Sequence, residues 1–230
     1  MWRGAIWAIR CGPAASHDGS GRLTAEAARP VATQARGRKR REALLAAARA
    51  LLAERESSQI TLAEIAARAE VPKSSAYHFY TDALELFVEL VSILDAEFQH
   101  AIARPLDRVE SWELLIGIVI DRGAAFFEDN PAAQQLMLSS QTPPAIKRYS
   151  RRADVETSRL IEELVDSQFV LPEIPDRDRI FFYAIEAADL MFGLSLFERG
   201  VLLREMVEEA KRMCCAYLAL YIPRHLPRRG

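Results

Sequence analysis

The chain has 230 residues, of which 50% are hydrophobic and 27% are charged, a composition typical of one large or two small folded domains. Only 10 glycines and few β-branched runs argue against a β-sandwich or barrel, and 3 cysteines form no disulfide framework. The longest uncharged apolar run, residues 213–222, is too short to span a membrane. The sequence therefore favours a helical cytoplasmic protein without a membrane partner.

Charge is distributed unevenly along the chain, although the net charge is only −2. Residues 36–82 carry nine basic and six acidic side chains, whereas residues 83–230 carry seventeen basic and twenty-four acidic ones. A basic front on an acidic body favours a polyanionic partner at one end of the molecule. A solvated basic helix start is the alternative explanation.

The N-terminal region changes character near residue 37. Residues 1–36 are rich in Gly, Ala, Ser, Arg and Pro and lack periodicity, so they are predicted to form a disordered N-terminal arm. From Arg38 onward, apolar residues recur at helical spacing and predict a first helix that ends near residues 54–58. A folded domain at residues 37–82 is therefore expected to follow the arm.

Two short helices are predicted around a turn in residues 61–80. Thr61 and Glu64 have the spacing of a capping box, in which side chain and backbone groups satisfy each other at a helix start. Pro72 fits the first turn of the next helix, where its missing N–H group is not needed. Two helices around a tight turn form a helix-turn-helix, whose second helix enters the major groove of DNA.

The second short helix begins with side chains suited to duplex DNA. Lys73 supplies positive charge, and Ser74 and Ser75 are short enough to approach base edges in the major groove. Ordinary helix-start chemistry is the alternative explanation for the two serines. Because serine hydrogen-bonds to either base type, the operator sequence is not predicted.

The segment from Arg41 to Phe87 resembles the DNA-binding region of the TetR/AcrR family of bacterial transcriptional regulators. The resemblance is carried by AARALLAER in the first helix, TLAEIA after it, and VPKSSAYHFY across the second short helix. Beyond residue 100 only the number and lengths of the helices agree. Two positions depart from the family pattern: Glu70 replaces a usual glycine, and Ala83 replaces a lysine that contacts phosphate.

The resemblance implies that the first three helices bind DNA and that a fourth helix links them to an effector domain. Lys73, Tyr77 and His78 are then expected to hold phosphates, and Thr61 to anchor the second helix. A core aromatic and an exposed histidine without a role are the alternatives for Tyr77 and His78. The complete set of expected DNA contacts is Arg38, Lys39, Arg40, Thr61, Lys73, Ser74, Ser75, Tyr77 and His78.

Residues 83–223 are predicted to form an all-α effector-binding and dimerisation domain, with a tail at 224–230 and about nine helices in total. The last two helices carry apolar stripes wider than one core requires, so we expect a second subunit against them. A large monomeric bundle is the alternative. The expected dimer interface consists of Phe181, Ala188, Phe192, Met206, Met213 and Tyr217.

An effector pocket is predicted between the helices of the body, where ligand sites in bundles occur. The aromatic and aliphatic bias of the region favours a small apolar or aromatic effector, with plain core packing as the alternative for each residue. The expected lining consists of Phe98, Trp112, Ile116, Phe127, Met137, Tyr149, Phe182 and Met191.

These patterns favour a ligand-responsive repressor that binds a palindromic operator as a homodimer. We find no pairing of nucleophile and base, no metal-spaced His/Cys set and no glycine-rich phosphate loop in the sequence. No catalytic residue, metal or cofactor is therefore predicted. An all-α enzyme and a helical effector-binding adaptor without DNA binding are the alternatives.

Overall fold

The computed structural model describes the backbone of residues 28–229 and the side chains of residues 34–229. Within those residues the fold is all-α, as predicted, and the one β-type contact is an isolated antiparallel bridge between Phe169 and Arg228. A 3₁₀ turn, Ser57–Gln59, follows the first helix, and a π-helical segment, Gln134–Leu138, continues the sixth. The α-helices are α1 (Ala28–Glu54), α2 (Leu62–Arg68), α3 (Lys73–Phe79), α4 (Ala83–Ile102), α5 (Trp112–Asp129), α6 (Pro131–Ala133), α7 (Pro144–Gln168), α8 (Arg177–Arg199) and α9 (Arg204–Leu218).

Helix α1 begins at Ala28, so residues 28–36 are helical, which corrects the prediction of a disordered arm there. This stretch contains good helix formers such as alanine and arginine. The rest of the predicted arm, residues 1–27, lies outside the described residues. The described residues divide into two compact units, the first ending at Arg38 and the second beginning at Lys39.

Local sequence determines how α2 and α3 begin and meet. The Thr61 hydroxyl accepts a hydrogen bond from the backbone N–H of Glu64 (3.3 Å), and the Glu64 carboxylate accepts one from the N–H of Thr61 (2.9 Å). This is the predicted capping box. Val71 is buried in the turn between the helices, and Ala76 is the buried residue of α3.

Helices α4 to α9 form one bundle. Helix α8 packs on α7 and α9, α4 packs on α5 and α7, and α5 also contacts α9. The predicted C-terminal tail is held to this bundle by its backbone. The N–H of Val170 donates to the carbonyl of Pro227 (2.8 Å), and the N–H of Arg229 donates to the carbonyl of Gln168 (2.9 Å).

Helix α8 is unusually apolar for a helix at the surface of a bundle. By length and composition alone it is able to cross a membrane, although only 33% of its most apolar stretch is buried in the fold. Glu186 and Asp189 interrupt it near its middle. The helix therefore has more apolar surface than the bundle covers.

Candidate nucleic-acid interface and effector cavity

One face of α3 is open to solvent. Lys73, Ser74, Tyr77 and His78 are exposed and lie on one side of the helix by their spacing. Tyr77 is 49% exposed, so it is not a core aromatic. The Lys73 ammonium lies 5.8 Å from the centre of the Tyr77 ring, within the range of a cation–π contact. A lysine, an aromatic hydroxyl, an imidazole and a serine are thus presented together.

The neighbouring part of α1 adds positive charge to this face. Lys39 and Arg40 are exposed, and the Arg40 guanidinium donates to the hydroxyl of Ser75 at 3.4 Å. Ser75 is half-buried between these helices. Arg38 belongs to the first unit and is also exposed. Of the predicted DNA contacts, the structure directly links Arg40 to Ser75 and Lys73 to Tyr77.

Sequence reasoning missed a network that joins α1, the end of α3 and α4. The Tyr80 hydroxyl donates to the Glu89 carboxylate (2.9 Å), which also pairs with the Arg41 guanidinium (2.6 Å). Burial raises the pKa of Tyr80 to about 12, so it remains a hydrogen-bond donor across the physiological range. Arg49 and Glu97 form a second pair between α1 and α4. These partners lie far apart in sequence, and no motif marks them.

Gln135 ties the end of α1 to the body, a link that was not predicted from the sequence. Its amide group donates to the carbonyls of Leu52 and Arg55, the latter at 2.8 Å. Its side-chain oxygen accepts from the backbone N–H of Ser57 at 2.9 Å. One side chain in the π-helical segment therefore satisfies backbone groups that a helix end leaves free.

Two cavities among the described residues of the body carry residues of the predicted lining. A large one of about 710 Å³ is bounded by α4, α5, α7, α8, α9 and the end of the π-helical segment. Of the predicted lining, Phe98, Phe127 and Met137 line it. A small apolar cavity of about 50 Å³ lies deeper and is lined by Phe98 and Ile116 among others.

Four residues of the predicted lining border neither cavity, and their assignment is corrected. Trp112 is buried in the core and donates from its indole nitrogen to the carbonyl of Pro223 (3.0 Å). Phe182 packs against the ring of Tyr183. Tyr149 and Met191 are partly buried and pack against the core. Helical spacing alone did not reveal which side of each helix faces the opening.

Three carboxyl groups at the large cavity were missed from sequence. Asp154 and Asp189 line it, and Asp95 lies behind them, only 6% exposed. Burial, aided by the charge of Asp154, raises the pKa of Asp95 to about 7. Burial likewise raises the pKa of Asp154 and of Asp189. The available signal was an aspartate placed among apolar neighbours in α4 and again in α8.

The expected dimer-interface residues divide into two groups. Phe181, Ala188 and Phe192 are buried in the protomer's own core, which corrects their assignment to an intersubunit surface. They point inward because α8 turns that side toward α9 and α7. Met206 and Tyr217 are half-buried, and Met213 is exposed. The large apolar side chains exposed on α8 and α9 are Tyr183, Leu190, Leu194, Phe197 and Met213.

Comparisons of structure find this fold among bacterial regulators. A TetR-family transcriptional regulator from Streptomyces coelicolor matches with a TM-score of 0.64 and 20% identity, over 80% of this chain and 99% of that one. A TetR transcriptional regulator from Rhodococcus sp. RHA1 matches with a TM-score of 0.59 and 17% identity, over 79% of this chain and 96% of that one. The transcriptional regulator FadR from Bacillus subtilis, in complex with stearoyl-CoA, matches with a TM-score of 0.57 and 13% identity. The match covers 77% of this chain and 97% of that one.

Comparisons of sequence identify the family. No curated protein matches the chain. Residues 44–90 match the family model of bacterial regulatory proteins, tetR family, and residues 110–222 match that of the tetracyclin repressor-like, C-terminal domain. The two matches cover the helix-turn-helix and the helical body in turn. The chain belongs to the TetR family of bacterial transcriptional regulators.

Proposed function

We propose that the protein is a cytoplasmic repressor that binds a palindromic operator as a homodimer and releases it when a small effector enters the body. The observation that supports this most is the exposed polar face of α3, with the basic residues of α1 beside it. The Tyr77 side chain, 49% exposed on this face, is accessible to a ligand.

Each side chain on this face has a proposed role. Lys73, Tyr77 and His78 hold phosphate oxygens, and Ser74 and Ser75 approach base edges in the major groove. Thr61 fixes the start of α2 through its capping box. The exposed basic residues Arg38, Lys39 and Arg40 strengthen the sequence-independent attraction to DNA.

The homodimer is supported by the exposed apolar side chains of α8 and α9. Phe197 is 74% exposed and Leu190 is 55% exposed. Contact of this apolar surface with water is unfavourable, and a second copy of the same surface packed against it would remove that contact. A two-fold dimer that reads half-sites one DNA turn apart presents its two recognition helices about 34–36 Å apart. This spacing is the reason to expect a palindromic operator.

The ligand response is supported by the large cavity and by its link to α1. Met137 and Leu138 of the π-helical segment line the cavity, and Gln135 of the same segment holds the end of α1. A ligand that alters this segment would therefore act on the helix that carries Arg40 and Arg41. FadR, of the same fold, is known in complex with stearoyl-CoA. An effector shifts the equilibrium only by its differential affinity for the two arrangements.

The test is a titration of random duplex DNA with the full chain at several salt concentrations, in which fluorescence anisotropy measures binding. The logarithm of the binding constant is expected to fall linearly with the logarithm of salt concentration. Lys73→Ala should reduce the slope by about one unit, because one phosphate contact is lost. Arg152→Ala, which removes the same charge from an exposed position on α7, is the matched control and should leave the slope unchanged.

Weak binding that does not depend on salt would overturn the proposal and favour an effector-binding adaptor. Two residues near the proposed DNA-binding face favour that alternative. Glu70 places a negative charge beside α3, and Ala83 supplies no positive charge at the start of α4. Equal slopes for Lys73→Ala and the unaltered chain would instead remove Lys73 from the DNA contacts.

A further inference from the structure

The large cavity combines an apolar wall with an excess of acidic groups. Its volume of about 710 Å³ falls within the range of about 300–1,000 Å³ that is usual for small-molecule sites. Phe98 and Phe127 form part of the wall, with ring centres 5.3 Å apart. Asp154 from α7 and Asp189 from α8 also line the cavity.

More acidic than basic side chains line the cavity. Arg151 pairs with Glu186, and Lys147 donates to the carbonyl of Ser140 at 3.1 Å. Asp154 lies 3.9 Å from the Arg151 guanidinium that Glu186 already holds. Asp189 has no ion pair within the described residues.

Two buried polar groups beside these carboxyls lack partners. Ser150 lines the cavity, is only 8% exposed, and its hydroxyl has no hydrogen-bond partner among the described residues. It lies one turn before Asp154 on the same face of α7. Asp95, 6% exposed, has one carboxyl oxygen that is buried without a partner. Burying such groups unpaired is costly, and a bound ligand that supplies the missing partner removes the cost.

We propose that this cavity binds an organic cation with an apolar body, whose positive charge lies between Asp154 and Asp189 and within reach of Ser150. The carboxylates supply opposite charge, the Ser150 oxygen accepts from an N–H of the ligand where it has one, and the apolar wall that includes Phe98 suits the apolar body of the ligand. The inference deepens the proposed ligand response by giving the effector a charge. An anionic ligand would gain no charge pairing from these carboxyl groups and would be repelled wherever they ionise.

Protonation of the cluster follows from the same geometry. Burial raises the pKa of Asp95, Asp154 and Asp189, so the empty site retains protons near neutral pH, and a cation displaces them. Affinity for a permanent cation is therefore expected to rise as the pH increases from about 5.5 to about 8. The ionisable groups around the site are Asp95, Lys147, Arg151, Asp154, Glu186, Asp189 and Cys214.

The experiment uses probes of matched shape and opposite charge. Tetraphenylphosphonium and octyltrimethylammonium are titrated by calorimetry into the full chain without DNA, alongside tetraphenylborate and octyl sulfate. At least one cation is expected to bind about tenfold or more tightly than its anionic counterpart, with proton release seen as a heat that depends on the buffer. Asp189→Asn and Asp154→Asn should each weaken the cation by about tenfold and reduce the proton release.

Controls separate this site from general charge effects. Glu163→Gln removes one negative charge from an exposed position on α7 and should leave cation affinity unchanged. Thermal melting checks that the asparagine variants fold, which is expected because asparagine resembles the protonated aspartic acid. Binding of neither cation, equal binding of the anions, or full cation binding by both asparagine variants would overturn the inference.

The outcome is independent of the proposed DNA binding. If salt-dependent DNA binding is present and no cation binds, the regulator stands and the cationic effector is wrong. If a cation binds and DNA binding is unaffected by it, the site stands and the proposed release mechanism is wrong.

Discussion

Glu70 adopts a backbone conformation that residues other than glycine rarely occupy, with φ of 53° in the turn between α2 and α3. Its side chain is exposed, and no hydrogen bond or ion pair from it compensates within the described residues. The cost of the left-handed region for such a residue is roughly 1–2 kcal/mol. The turn thus keeps the geometry that a glycine would favour, at a cost to stability.

Glu70→Gly is expected to increase the free energy of unfolding by about 0.5–1 kcal/mol, because relief of backbone strain exceeds the greater entropy of an unfolded glycine. Urea unfolding followed by circular dichroism measures the change. Glu70→Ala retains the Cβ atom and serves as the control, with little or no gain expected. A loss of stability in the glycine variant would show that the glutamate side chain contributes more than the strain removes.

Asp95 should make the protein less stable as the pH rises. Its pKa is about 7 in the folded state against 3.8 when exposed, so the folded state binds more protons between these values. The free energy of unfolding therefore falls as the pH rises from about 4 to about 7 through this group. Asp154 and Asp189, whose pKa values are also raised, add to the same trend.

Asp95→Asn is expected to increase the free energy of unfolding at pH 8 by on the order of 2 kcal/mol and to have little effect at pH 4. Denaturant unfolding across this pH range provides the measurement. Glu163→Gln, which alters an exposed carboxyl group on α7, should reproduce neither effect. An Asp95→Asn variant with an unchanged pH profile would mean that Asp95 is already ionised and paired in solution.

At the scale of elements, the π-helical segment connects the cavity wall to the DNA-binding helices through Gln135. Gln135→Ala removes the acceptor of the Ser57 N–H group (2.9 Å) and the donor to the end of α1. Exchange of the Ser57 amide hydrogen is expected to accelerate by about tenfold or more, since its protection depends on that bond. Hydrogen exchange measured by NMR or mass spectrometry provides the readout.

Gln134→Ala is the matched control for this experiment. Gln134 precedes Gln135, and its amide group donates to the carbonyl of Phe127 at 2.7 Å, inside the body. It should therefore leave the Ser57 amide protected. Equal exchange in the two variants would mean that the link between the body and α1 does not depend on Gln135.

Helix boundaries were predictable where their signals are local. The predicted Thr61–Glu64 capping box fixes the start of α2. Pro72, predicted in the first turn of the next helix, is instead the N-cap residue immediately before α3. The start of α1 was not predicted, because residues 28–36 lack the apolar periodicity used to recognise a helix. Helix propensity without an apolar face marks a helix only weakly.

For the whole molecule, the exposed apolar surface of α8 and α9 sets the expected state of assembly. Phe197→Glu places a charge at a position that is 74% exposed in one protomer and is expected to be buried in the dimer. The variant should be monomeric in sedimentation experiments at micromolar concentration, since an unpaired charge in an interface costs several kcal/mol. Its thermal stability as a monomer should be retained.

Leu114→Glu provides the control on another surface. Leu114 is 48% exposed on α5, so an equally disruptive charge there should leave the dimer intact. A dimer that persists in Phe197→Glu would move the interface away from this part of α8. Dissociation by both variants would indicate a general loss of folding rather than a specific contact.

The amino-acid sequence alone determined the all-α fold, the helix-turn-helix and the polar side chains at the start of α3, because short-range spacing and capping create these features. The tertiary structure decided which sides of α8 face inward, that Gln135 meets the end of α1, and that Asp154 and Asp189 line one cavity with Asp95 close to them. Their partners are dozens of residues apart and meet only when the helices pack. Periodicity locates a helix face, but the direction of that face in a bundle depends on every other helix against it.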